Sequence, residues 1–162
     1  MPSTPTAREL TVFGALIAAV AGVAVIGSAV TLPAIPAWYA GLQKPWFTPP
    51  NAAFGPVWTS LYALTAWATW RAWRVARANG EQGRVLVVFA VQLALNAAWS
   101  QLFFGWQRPD LALIDVVLLW LAIVATIRIF ARQDRLAAGL LLPYIAWVTL
   151  AVALNAGVVL LN

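Results

Sequence analysis

Two residue types are missing altogether. The chain has no cysteine and no histidine. That excludes disulfides, thiol nucleophiles, imidazole general bases and the usual protein ligands of zinc and haem iron. Charge is scarce as well: 9% of the residues are Asp, Glu, Lys or Arg, against 63% hydrophobic. A soluble domain carries roughly 25% charged residues to cover its surface, so lipid is the expected solvent for most of this exterior. No glycine-rich phosphate loop follows a strand, no carboxylates pair on one helix face, and no metal-binding spacing is present. The 162 residues fit one domain. The net charge of +5 does not mark a nucleic-acid surface. The arginines form no patch but sit at the ends of apolar stretches, where the positive-inside rule places them.

Five apolar stretches are present, about residues 10–32, 52–73, 85–106, 111–129 and 136–161, each long enough to cross roughly 30 Å of hydrocarbon. Backbone polar groups in lipid must be satisfied within the segment, so each is expected to be a helix. The alternation of a β-barrel is missing. The expected fold class is therefore all-α, a single domain forming an integral bundle of five transmembrane helices. The first stretch is too long for a signal-peptide core and no small-residue cleavage site clearly follows it. Short links after the second, third and fourth stretches make neighbours antiparallel. The long link, 33–51, holds Pro33, Pro36, Pro45, Pro49 and Pro50 with Trp38, Tyr39, Trp46 and Phe47. It is expected to be neither helix nor sheet, and reads either as a lid over the bundle mouth or as an interfacial aromatic belt. Trp70, Trp73 and Trp106, at stretch ends, read as belt residues.

One side collects Arg8, Arg71, Arg74, Arg77, Arg84, Arg128, Arg132 and Arg135, and the other only Lys44 and Arg108. The N-terminus is therefore expected in the cytoplasm, with the long loop facing outward. Small residues recur four apart, as Gly14, Ala18 and Gly22 and as Ala90, Ala94 and Ala98. Such stripes allow close helix approach and raise the expectation of a homodimer.

Polar and aromatic residues inside the spans carry the functional information. At ~1.5 Å per residue, Trp58, Trp99 and Asn155 lie roughly 10 Å from the loop end. Asn96 lies ~15 Å and Trp147 ~20 Å from it, while Ser28 and Asp115 are about one turn in. These depths permit one cavity beneath the long loop, in which Trp58, Trp99 and Trp147 are expected to meet. A Trp-lined chamber with a few amides suits a large, flat, mostly apolar ligand. Equally, Asn96, Ser28 and Asp115 can serve helix–helix hydrogen bonds, Asp115 pairing with Arg108 or a helix N-terminus. Pro143 removes the bond to the Gly139 carbonyl and predicts a kink between Gly139 and Leu142.

Several runs resemble the TspO/translocator (tryptophan-rich sensory protein) family. They are Trp38-Tyr39-Ala40-Gly41-Leu42-Gln43-Lys44-Pro45 with Pro49-Pro50, then Gly55-Pro56-Val57-Trp58-Thr59-Ser60-Leu61-Tyr62. Further on come Gln92 to Trp99 with Phe103-Phe104-Gly105, then Ala112 to Asp115, and finally Pro143-Tyr144-Ile145-Ala146-Trp147 with Leu154-Asn155. The resemblance runs in order from about Ser28 to Asn155. It implies a five-helix bundle, usually dimeric, that binds porphyrins such as protoporphyrin IX, or sterols in animal members, beneath the first loop. No cofactor is required; the porphyrin is the ligand. Pocket roles are implied for Trp58, Asn96, Trp99, Trp147 and Ala151, with Ser28 and Thr31 from the first helix. Trp38 in the loop and Asn155 complete the candidate set. A tryptophan matching Trp58 is linked in bacterial members to light-dependent porphyrin breakdown. If this chain is an enzyme of that kind, Trp58 and Trp147 are the candidate reactive residues. A transporter of porphyrins or other lipophilic ligands is the further alternative. The implied setting is a bacterial inner membrane. Two departures stand out. The animal cholesterol pattern at the end of the fifth helix is absent, since Ala156 to Leu161 hold neither aromatic nor basic residue. The loop also reads Trp46-Phe47-Thr48 where members often have Ser-Trp.

Overall fold

The structure, a computed structural model, describes residues 5–162. The long elements are α1 (Ala7–Ala34), α2 (Asn51–Ala76), α3 (Gln82–Ser100), α4 (Pro109–Gln133), the short α5 (Arg135–Gly139) and α6 (Leu142–Leu161). With α5 and α6 forming the fifth span, the chain is a multi-pass bundle of five membrane helices. Four of the spans are long and apolar enough to cross a bilayer on composition alone. The exception is α2, which carries Thr59, Ser60, Thr65, Thr69, Arg71 and Arg74. Its polarity is largely internal. Thr59, Ser60 and Thr69 turn their hydroxyls onto the carbonyls of Gly55, Pro56 and Thr65 at 2.8–2.9 Å, which keeps those donors satisfied away from water.

The main core lies between α2, α4 and the fifth span. Ala68, Ala72 and Ala76 of α2 let the helices approach Val116, Leu119, Ile123 and Phe130 of α4, with Leu141 before α6 and Tyr144 and Val148 within it closing the core. A second, smaller core joins α1 to α2 and α3 through Leu16, Val20, Ala66, Phe89 and Leu93. The first helix is otherwise peripheral. Gly14 and Gly22 are exposed with open space where a Cβ would stand, so the α1 stripe packs on nothing among the described residues. Ala90 and Ala94 of α3 are exposed as well.

Helix ends follow local chemistry. Thr6 caps α1 in a reciprocal box with Glu9, and the Glu9 carboxylate pairs with Arg74 of α2 and with Arg77 at its C-cap, each at 3.3 Å. The Trp70 indole N–H donates to the Glu9 carbonyl at 2.9 Å, and Phe13 lies 5.3 Å from the Trp70 ring. The arginine-rich ends of α1 and α2 are thereby clamped. Gly80 ends the turn after α2 at φ 76°, a conformation that favours glycine. Asp134 caps α5 through Leu136 N at 2.8 Å and holds Arg71 at 2.7 Å.

Three expectations are corrected. First, the long link is not wholly irregular. Pro33 lies inside α1, and Ile35–Tyr39 continues it as a wide π-turn, the Ala40 N–H reaching back to the Ile35 carbonyl. A π-turn skips a residue in the bonding ladder, which accommodates Pro36 without ending the helix. Second, Trp73 is not an interfacial belt residue. It is 2% exposed, because α2 runs on to Ala76 and Trp73 lies on the face that packs on the core. Third, Arg108 does not reach Asp115. It forks onto Asp110, Nε to Oδ1 at 2.9 Å and Nη2 to Oδ2 at 2.6 Å. Asp115 lies more than a turn deeper in α4, where its Oδ2 is buried without a partner among the described residues. The expected break near Pro143 is present, with Leu140 and Leu141 forming a turn between α5 and α6.

Candidate functional site

A cavity of about 580 Å³ lies between α1, α2 and α3 in the half of the bundle that carries the long loop. Its α1 wall includes Val20, Gly27, Ser28 and Thr31, and its α2 wall Phe54, Trp58, Thr59 and Tyr62. Its α3 wall is Asn96, Trp99 and Ser100, extended by Phe104 just beyond the helix, and Ile35 and Tyr39 from the π-turn roof it. The volume falls within the few hundred to 1,000 Å³ of small-molecule sites, and the lining is mostly apolar with a few convergent polar groups.

The polar groups form a chain across three helices. The Tyr62 hydroxyl donates to Asn96 Oδ1 at 2.6 Å, and Asn96 Nδ2 donates to the Tyr144 hydroxyl at 3.1 Å. Asn96 and Tyr144 are each 3% exposed. Trp58 lies 5.4 Å from the Tyr62 ring and 6.2 Å from that of Tyr144, so four side chains fix one another at the cavity floor. Trp99 is held from behind. Its indole N–H donates to Asn155 Oδ1 at 3.0 Å, and Asn155 Nδ2 donates to the Pro109 carbonyl at 2.7 Å. Its ring stacks on Phe103 at 5.2 Å and 25°. That stacking depends on a second π-turn, Gln101–Gly105, in which the Trp106 N–H bonds the Gln101 carbonyl five residues back. The widened turn brings both Phe103 and Phe104 against Trp99.

The loop that follows the roof is fastened. The Asn162 side-chain amide pairs with both the N–H and the carbonyl of Gln43, each at 3.0 Å. Lys44 Nζ donates to the Tyr39 and Leu42 carbonyls at 2.8 Å and lies 4.7 Å from the Tyr39 ring centre. Pro45 seats on Gly157 of α6, where any Cβ would collide with the proline ring. Glycine is required there by space.

Five of the candidate residues, Ser28, Thr31, Trp58, Asn96 and Trp99, line this one cavity. Asn155 stands behind Trp99 and is 1% exposed. Trp38 packs edge-on against Phe103 at 5.5 Å, outside the lining. Ala151 packs against the main core. The expectation that three indoles meet is corrected, because Trp147 does not line the cavity. It borders a separate groove between α2 and α6 with Pro56, Ser60, Pro143 and Leu150. It meets the cavity only through Phe54, whose ring it touches edge-on at 5.6 Å. Depth along a helix does not fix which way a residue faces around it. The reading by depth also passed over Tyr62, Tyr144, Phe54, Phe104 and Ser100. A signal existed for two of them, since Tyr62 is four residues after Trp58 and Ser100 four after Asn96, on the same helix faces.

The family model described as TspO/MBR family matches residues 15–161. The Tryptophan-rich protein TspO of Archaeoglobus fulgidus is 43% identical over 150 residues, covering 91% of this chain and 95% of that one. The Tryptophan-rich sensory protein of Cereibacter sphaeroides is 41% identical over 125 residues, 77% of each chain. The human Translocator protein is 40% identical over 119 residues, 73% of this chain and 70% of its own. With a bundle of five membrane helices and a tryptophan-faced cavity under its first loop, this chain belongs to the TspO/MBR family.

Proposed function

We propose that the protein is a membrane receptor that binds a tetrapyrrole such as protoporphyrin IX in the cavity between α1, α2 and α3, and so senses or buffers it. The observation that carries this reading is that two fixed indoles, Trp58 and Trp99, line one mostly apolar space of about 580 Å³. Aromatic faces reward a flat conjugated ring with roughly 0.5–1.5 kcal/mol per contact beyond area burial. The ring's own area supplies the bulk of the affinity at ~25 cal/mol per Å². Hydroxyls of Ser28, Thr31 and Ser100 offer hydrogen bonds to polar substituents. With neither His nor Cys in the chain, iron gains no such axial ligand. The proposed setting keeps the first loop outward and the arginine-rich end in the cytoplasm, with a homodimer as the assembly.

The test is a Soret titration of the protein in nanodiscs with protoporphyrin IX and with haem. Saturable binding of both within a few-fold of one another is expected. Absence of saturable binding, or haem binding a hundredfold tighter, contradicts the reading.

A second reading, light-dependent degradation of the bound ring, draws on Trp58, which lines the cavity with the Tyr62 and Tyr144 rings against it. These are oxidisable rings in a row. Illumination in oxygen should then bleach the Soret band faster in the wild type than in Trp58→Phe, and equal rates reject it.

A further inference from the structure

The cavity has two boundaries of opposite character. Toward the loop it is closed by contacts that are specific and numerous: the reciprocal amide pairing of Asn162 with Gln43, Pro45 seated on Gly157, and Lys44 tied to two carbonyls. Between α1 and α2 nothing equivalent exists. All side-chain hydrogen bonds and ion pairs joining these two helices among the described residues run to Glu9, at the far end. In the half beside the cavity, the α1 wall residues Val25 and Leu32 are 69% and 65% exposed. Opposite them on α2, Gly55 and Thr59 are cavity-lining and exposed too. A Cβ built on Gly55 meets no atom within 4 Å. In a bilayer this exposed surface of the helix pair would face lipid, and the cavity would open toward the hydrocarbon.

We infer that the ligand enters sideways, from the bilayer, through the opening between the loop-side halves of α1 and α2, while the loop stays fastened. The inference rests on the proposed cavity function and narrows the ligand class to planar amphiphiles with a large apolar ring that already partition into membranes. The chemistry of the opening agrees. It carries no charged side chain, so a hydrocarbon-dissolved ring loses little on crossing it, whereas passage past the loop would break polar contacts in turn. Each flanking helix holds a proline near the opening, Pro33 in α1 and Pro56 in α2. Each proline deprives a carbonyl one turn back of its donor, which gives the helix a point of flexure.

The experiment uses the absence of native cysteine. Stopped-flow fluorescence follows transfer of protoporphyrin IX from phosphatidylcholine vesicles to the full-length protein. Three forms are compared: wild type, Gly55→Trp, and Gln43→Cys/Asn162→Cys oxidised to a disulfide that is verified by mass. A side chain at Gly55 has open space and stands in the opening. Gly55→Trp is expected to slow association and dissociation alike by at least tenfold, whereas mere crowding of the cavity would speed dissociation. The locked loop is expected to leave both rates within twofold of wild type. Unchanged rates in Gly55→Trp, or loss of association in the locked loop, overturns the inference. Failure of the wild type to bind at all would instead refute the function proposed for the cavity.

Discussion

Replacing Asn96 by leucine isolates the polar chain at the cavity floor. Asn96 accepts from Tyr62 and donates to Tyr144. The two tyrosines differ in what they can do afterwards. Tyr62 borders the cavity and can turn its hydroxyl toward water or ligand. Tyr144 is 3% exposed and packed in the main core, so its hydroxyl is stranded. An interhelical hydrogen bond in a membrane protein contributes ~0.6 kcal/mol on average, and a stranded buried polar group costs ~1–3 kcal/mol. Asn96→Leu should therefore destabilise by ~2–4 kcal/mol. At ~2–4 °C per kcal/mol for a chain of this size, that is a fall of roughly 4–16 °C in the thermal midpoint in detergent. Adding Tyr144→Phe removes the stranded hydroxyl, so the double variant should regain ~1–2 kcal/mol over Asn96→Leu, within the cost of such a group. Such non-additivity is the signature of one network. A single variant as stable as wild type, or a double variant no more stable than the single, would refute the reasoning.

Gly157→Ala places a methyl against the Pro45 ring. Overpacking costs ~1–3 kcal/mol, and amide exchange in residues 43–48 should rise about tenfold, whereas unchanged protection would contradict the socket. Asp134→Ala removes a helix cap and the pair with Arg71. It should cost ~1–2 kcal/mol, read as a midpoint lowered by ~2–8 °C. Gln92 is 2% exposed and neither of its side-chain amide atoms has a partner among the described residues, so Gln92→Leu should raise the midpoint by a few degrees; a fall would show that the amide is satisfied.

Much of this molecule is written in hydropathy, and hydropathy reports position along a helix. The five spans, the break before Pro143 and the depths of Ser28, Asn96 and Trp99 follow from counting residues at 1.5 Å each. Orientation around a helix is less legible in a lipid-facing bundle, because both the core side and the lipid side are apolar and the usual amphipathic stripe is erased. Trp147 and Trp73 were misjudged for that reason. The π-turns at Ile35–Tyr39 and Gln101–Gly105 were not legible either. Each shifts the facing of every later side chain by one residue, and no residue type marks them. Arg108 shows a third limit, since a carboxylate two residues away outcompetes one more than a turn deeper in the helix. The family resemblance compensates in part: it groups Thr31 with Ser28 and Trp58, where pattern alone fixes only the depths of the latter two.

The cavity assignment turns on which indoles face it, and tryptophan-to-leucine replacements read that out. Protoporphyrin IX affinity should fall by about 2- to 13-fold for each of Trp58→Leu and Trp99→Leu, the equivalent of ~0.5–1.5 kcal/mol of lost ring contact. Trp147→Leu should stay within twofold of wild type. Affinity untouched by loss of Trp58 or Trp99, or lost chiefly with Trp147, would place the ligand elsewhere and contradict the site described above.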